Sequence, residues 1–161
     1  MSCNRMSLVI KGGVKSIMEL EKTDWVLLTL RQHPLDRIHL MKALFLIWHR
    51  SGRNIRDYFL FLPYLYGPCS FEVYSVLENL QANRFIVQPP HLMPQWVNYY
   101  LSDKGKKEVE EVEKRVSPDI LRFIKEVANE VSRLSFHELL RKVYTEAPDF
   151  AVNAMFRGII K

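Results

Sequence analysis

The chain has 161 residues with 23 Lys or Arg, 18 Asp or Glu, 48% hydrophobic residues, six glycines and eight prolines. This balance is that of a folded chain able to bury one core, and it excludes the collagen-like and disordered classes. Cys3 and Cys69, the only cysteines, cannot build a disulfide framework or a thiol zinc finger. That cysteine usage makes the cytoplasm the expected compartment, and the longest apolar run, Ala43 to Trp48, falls far short of the roughly 20 residues that cross a bilayer, so no membrane span is expected.

Residues 1–18 read as a flexible tail. Lys11, Gly12 and Gly13 interrupt any signal-like apolar stretch, and Met6 and Met18 are alternative starts. A first helix is expected from Glu19 to Gln32, ended by Pro34. Asp36 caps a second, whose Ile38, Met41, Leu44, Phe45 and Trp48 recur at spacings of three and four before Gly52 stops it. The aromatic stretch from Asn54 to Pro68 predicts an extended segment and a turn. Its Tyr58, Phe59, Phe61, Tyr64 and Tyr66 read as core first and as a partner groove second.

Ser70 is the expected cap of a third helix striped by Val73, Val76, Leu77 and Leu80. Two strands, "RFIVQ" and "WVNYYLS", follow, joined by the stiff connection "PPHLMPQ". Ser102 caps a charged fourth helix with a narrow seam of Val109, Val112 and Val116. Ser117 and Pro118 open a fifth, and Ser135 with Glu138 forms the capping box of the last. In the fifth helix Ile120, Ile124, Val127 and Val131 make a seam suited to another helix, which predicts a homodimer through the C-terminal helices. The expected fold is mainly α with a small β-wing: a winged helix domain over residues 19–116 and a C-terminal helical extension over 117–161.

The stretch "VYSVLENLQANRFIVQ", followed closely by "NYYLSDKGKKEVEEV", resembles the third helix, wing and exit of PadR- and MarR-type winged helix regulators. Ser102 stands where that exit has threonine. "LDRIHLMKALFLIW" with "YLYGPCSFEVYSVLENL" is similar to a second winged helix group with a Tyr-Gly-Pro turn, which includes the Panacea domain of antitoxins. The resemblance implies a DNA-binding transcriptional regulator whose third helix enters the major groove of double-stranded DNA.

Carried onto this sequence, the outward side of the third helix is Phe71, Ser75, Glu78 and Ala82, with Tyr74, Asn79 and Arg84 as usable base readers and His91 on the wing. Charge argues the other way. Residues 1–56 carry ten basic residues against four acidic ones, whereas 57–101 carry Arg84 alone against Asp57, Glu72 and Glu78. Phosphate contacts would therefore fall to Arg50, Arg53 and Arg56, with Arg37 and Lys42 behind them. The alternative is a protein-binding module, antitoxin-like or adaptor, using Phe71 and Leu92.

The five histidines show no metal-ligand spacing, and neither metal nor cofactor is expected. Cys69 beside a helix start reads as a buried thiol before a redox sensor. No phosphate loop or nucleophile motif appears, so no enzyme is expected.

Overall fold

Eight consecutive residues, Leu40 to Ile47, are buried within one helix, which must therefore have neighbours on every side. The structure is a computed structural model that describes residues 20–155. The expected tail and the proposed helix start at Glu19 lie outside the described residues. In chain order come α1 (Lys22–Gln32), α2 (Arg37–Arg50), a hairpin of β1 (Leu62–Tyr64) and β2 (Gly67–Cys69), and α3 (Phe71–Ala82). Strand β3 (Ile86–Val87), a 3-10 turn (Pro94–Trp96), β4 (Tyr100–Leu101), α4 (Asp103–Glu113), α5 (Pro118–Ser132), α6 (Phe136–Glu146) and a final 3-10 turn (Pro148–Ala151) complete it.

The fold is mainly helical with a small β-wing. Strands β3 and β4 pair antiparallel in the register Ile86 to Leu101 and Val87 to Tyr100, and Leu35 bridges Tyr99 to add a third short edge from the α1–α2 connection. The "YYLSDKG" exit has a direct physical reason. The Ser102 hydroxyl accepts from Gly105 N at 3.0 Å and donates to the Arg84 carbonyl at 2.6 Å, so one side chain caps α4 and ties it to the start of β3. A Cβ at Gly105 would collide with the Phe85 carbonyl, so this approach excludes any larger residue.

The hairpin was only half expected, because Gly67 and Pro68 are poor strand formers. Gly67 has a φ of 86°, and a Cβ there would lie 2.8 Å from the Tyr144 ring. The Tyr-Gly-Pro turn is thus held against α6. The aromatic stretch divides: Tyr58, Phe59 and Phe61 enter the core, while Tyr64 and Tyr66 stay at the surface. Ser70 occupies the cap position of α3, but its buried hydroxyl makes no capping bond.

The expected dimer seam is used within the chain. Ile120, Ile124, Val127 and Val131 are buried, and α5 packs against α1 and α2. These residues belong to the same hydrophobic cluster as Trp25, Leu44 and Val112, so a homodimer cannot form through that seam in this fold. The seam sought a helix, and the nearest helices are the chain's own. Among the described residues no helix is long and apolar enough to cross a membrane.

Candidate interaction surface

Helix α3 turns Val73, Leu77 and Leu80 inward and leaves Phe71, Ser75, Glu78 and Ala82 exposed, as its 3.6-residue period requires. Phe71 is 54% exposed although flanked by the Tyr64 and Tyr74 rings at 5.6 and 6.2 Å. Glu72 serves the fold rather than the reading face. Its carboxylate accepts from Leu60 N at 2.8 Å and pairs with Lys22 at 3.4 Å.

Of the expected base readers, Tyr74 and Asn79 are engaged within the fold. Tyr74 is half-buried under the Arg37 guanidinium, 5.2 Å from its ring, and the Cys69 thiol donates to its oxygen at 3.9 Å. Burial, with Cys69 beside it, pushes its pKa up to about 12. Asn79 accepts from the Asn83 side chain and lines a cleft with Glu21, Asp24, Glu108 and Arg115, in which three carboxylates would oppose a phosphate. Arg84 is exposed at the end of α3 with a φ of 64°, across from Lys104, whose ammonium donates to the Asn83 carbonyl. His91 lies within 3.2 Å of the Gln88 side chain, which itself braces the wing by donating to the Pro94 and Val97 carbonyls.

The arginines expected to grip phosphates are mostly committed to carboxylates. Arg50 bonds Glu130 through both terminal nitrogens, at 2.8 and 3.0 Å, and Glu146 at 2.6 and 3.2 Å. The Arg50 hydrogen bonds hold the Glu130 carboxyl down at about 2 and raise the arginine's own pKa. Arg53 pairs with both oxygens of Asp149, at 2.8 and 3.0 Å, and stacks on Trp48 and Phe150. Arg56 is the exposed member of the three, with the Asp57 carboxylate at 3.9 Å. Arg50 and Arg53 thus form a latch that fastens the end of α2 to α5, α6 and the last turn, whereas Arg56 takes no part in it. The partner carboxylates lie 80 and 96 residues away in sequence, which hid them from a local reading of charge.

His39 ties the start of α2 to the α5–α6 connection. Its Nδ1 lies 2.9 Å from Asp36 and its Nε2 2.7 Å from the Leu134 carbonyl. Both ring nitrogens face oxygen acceptors, an arrangement that favours the doubly protonated ring. Burial pulls its pKa down, but the bonds to Asp36 and Leu134 outweigh this and raise it.

The hairpin and the wing expose a set of apolar side chains. On the wing Leu92 is 97% exposed, with Met93 and Trp96 about half exposed, and the hairpin adds Leu62, Tyr64 and Leu65. Phe136 at the start of α6 joins the two, edge-to-face with Tyr66 at 5.6 Å and with Trp96 at 5.4 Å. Comparison with protein-family models, curated proteins and solved structures returns no match.

Proposed function

We propose that this chain is a non-catalytic, cytoplasmic winged helix module that binds a protein partner through the face formed by α3, the β1–β2 hairpin and the wing. One observation carries the reading: that face presents Phe71, Leu92, Met93 and Trp96 to solvent, while Arg50 and Arg53 are neutralised by Glu130, Glu146 and Asp149. Exposed aromatic and Met side chains are what protein interfaces select, and phosphate backbones select unpaired cations.

A second reading, as a regulator binding double-stranded DNA, is favoured by two exposed cations near the end of α3, Arg84 just after it and Lys104, whose ammonium reaches the Asn83 carbonyl. The two readings part in one experiment. Fluorescence anisotropy with a mixed-sequence duplex, titrated at low and near-physiological salt, is expected to show no saturable binding. In parallel, a tagged chain recovered from its own cells is expected to retain one stoichiometric protein that the double variant Phe71→Ser, Leu92→Ser loses while its circular dichroism is unchanged. Binding to the duplex that weakens steeply with salt, and falls on Arg84→Ala with Lys104→Ala, overturns the protein-binding reading in favour of DNA.

A further inference from the structure

Behind the hairpin tip lies a cavity of about 140 Å3, walled by Ile38 and Met41 of α2, Leu65 of the hairpin turn, Cys69 and Tyr74, and reached by the side chain of Lys42. Lys42 is 3% exposed, and its ammonium donates to the Pro68 carbonyl at 3.0 Å. That is its one partner among the described residues, and no carboxylate lines the cavity. An ammonium has three donors, and a buried charge is expected to be matched by an anion. Among the described residues two of its donors face apolar space without an acceptor.

We propose that this cavity binds a small apolar monocarboxylate, its carboxylate accepting from Lys42 Nζ and its hydrocarbon body packing on Ile38, Met41 and Leu65. One negative charge balances the one ammonium. The apolar walls disfavour a multiply charged anion such as phosphate, which would lose its hydration without replacement donors. A cavity of about 150 Å3 holds benzene, so a body of about five carbons fits this one.

Burial lowers Lys42 to about 8, which leaves it charged at neutral pH. The other titratable groups lining the cavity are Cys69, Tyr64, Tyr66 and Tyr74, with Arg37 over the Tyr74 ring. Burial and the neighbouring Cys69 push Tyr74 up to about 12, and the Cys69→Ala variant separates the thiol's contribution from that of Lys42.

The test is isothermal titration of the full chain with sodium hexanoate, hexanamide and dodecanoate. Hexanoate is expected to bind saturably, and at least about tenfold more tightly than the neutral amide or the longer acid. Its affinity is expected to fall about tenfold between pH 7 and 9 as Lys42 loses its proton, in the natural chain and in Cys69→Ala alike. Lys42→Met is expected to abolish binding with the circular dichroism unchanged. Should that variant fail to fold, the amide comparison and the pH dependence in the natural chain still decide. Equal binding of hexanoate and hexanamide, tighter binding of dodecanoate, a pH dependence lost in Cys69→Ala, retained affinity in folded Lys42→Met, or no saturable binding in the millimolar range would each overturn the proposal.

Discussion

Two apolar regions of this molecule have opposite fates. The seam of α5 is covered by α1 and α2, with Ile120, Ile124, Val127 and Val131 at or near zero exposure, whereas the α3, hairpin and wing face leaves Phe71, Leu92 and Trp96 in solvent. The seam is continuous at helical spacing and meets complementary helices of its own chain. The face is built from a helix side, a turn and a proline-rich loop, whose apolar groups have no shared period and so no helix to receive them. Hydrophobic pattern thus states that a surface needs covering, and only the tertiary arrangement states whether the chain covers it.

The contrast can be broken most strongly in the seam. Ile124→Ala is expected to lower unfolding stability by about 2–5 kcal/mol in urea denaturation, since the cavity it leaves cannot collapse among fully buried neighbours. Next comes the latch. Arg50→Ala strands two partly buried carboxylates and is expected to cost about 1–3 kcal/mol, after discounting for the solvent that reaches the pair. Because Glu130 is held at about 2 against an ordinary 4.5, the latch contributes fully above pH 4.5 and is lost as pH falls toward 2. Thermal melts of Arg50→Ala and the natural chain should therefore converge in acid.

A smaller effect with the opposite pH sign is expected at His39. Its pKa is raised above 6.5, so its bond energy is fully present below pH 6.5 and disappears as pH rises through the folded value. In thermal melts His39→Gln should cost about 1 kcal/mol of stability at pH 5.5, and the difference should shrink as pH rises through the folded pKa. Smallest of all, Leu92→Ala on the open face is expected to change stability by less than about 0.5 kcal/mol, because almost nothing packs on that side chain. A large loss there would show that the wing tip is covered by the chain itself.

Much of the fold was legible because its signals are local. Asp36, Ser102, Ser117 and Ser135 cap the helices they were expected to cap, and the stripe of α3 faces inward as its spacing requires. The second hairpin strand was not legible, since Gly-Pro opposes strand propensity and the pairing is enforced by Tyr144 packing on Gly67. The exposed part of the site, Phe71 and Leu92, followed from periodicity and from the proline-rich loop. The charge pattern misled because Arg50 and Arg53 look unpaired beside their neighbours in sequence, and their carboxylates arrive only when α5, α6 and the last turn fold back. Lys42 shows the same limit in reverse. Read with Arg37 as backing for phosphate contacts, it looks like a surface charge, yet α2 is surrounded and its ammonium is carried inside.

Closure of the core by α5 also sets a timetable for biosynthesis. Residues up to Val116 leave the ribosome first, with the capped helices and the β3–β4 wing able to form from near neighbours. The flanks of α1 and α2 stay bare until Ile120 to Val131 emerge, and the Arg50 latch closes only once Glu146 follows. For that interval the nascent chain exposes the apolar flanks of α1 and α2 that α5 later covers, the kind of transient surface that makes a partly folded chain prone to aggregate.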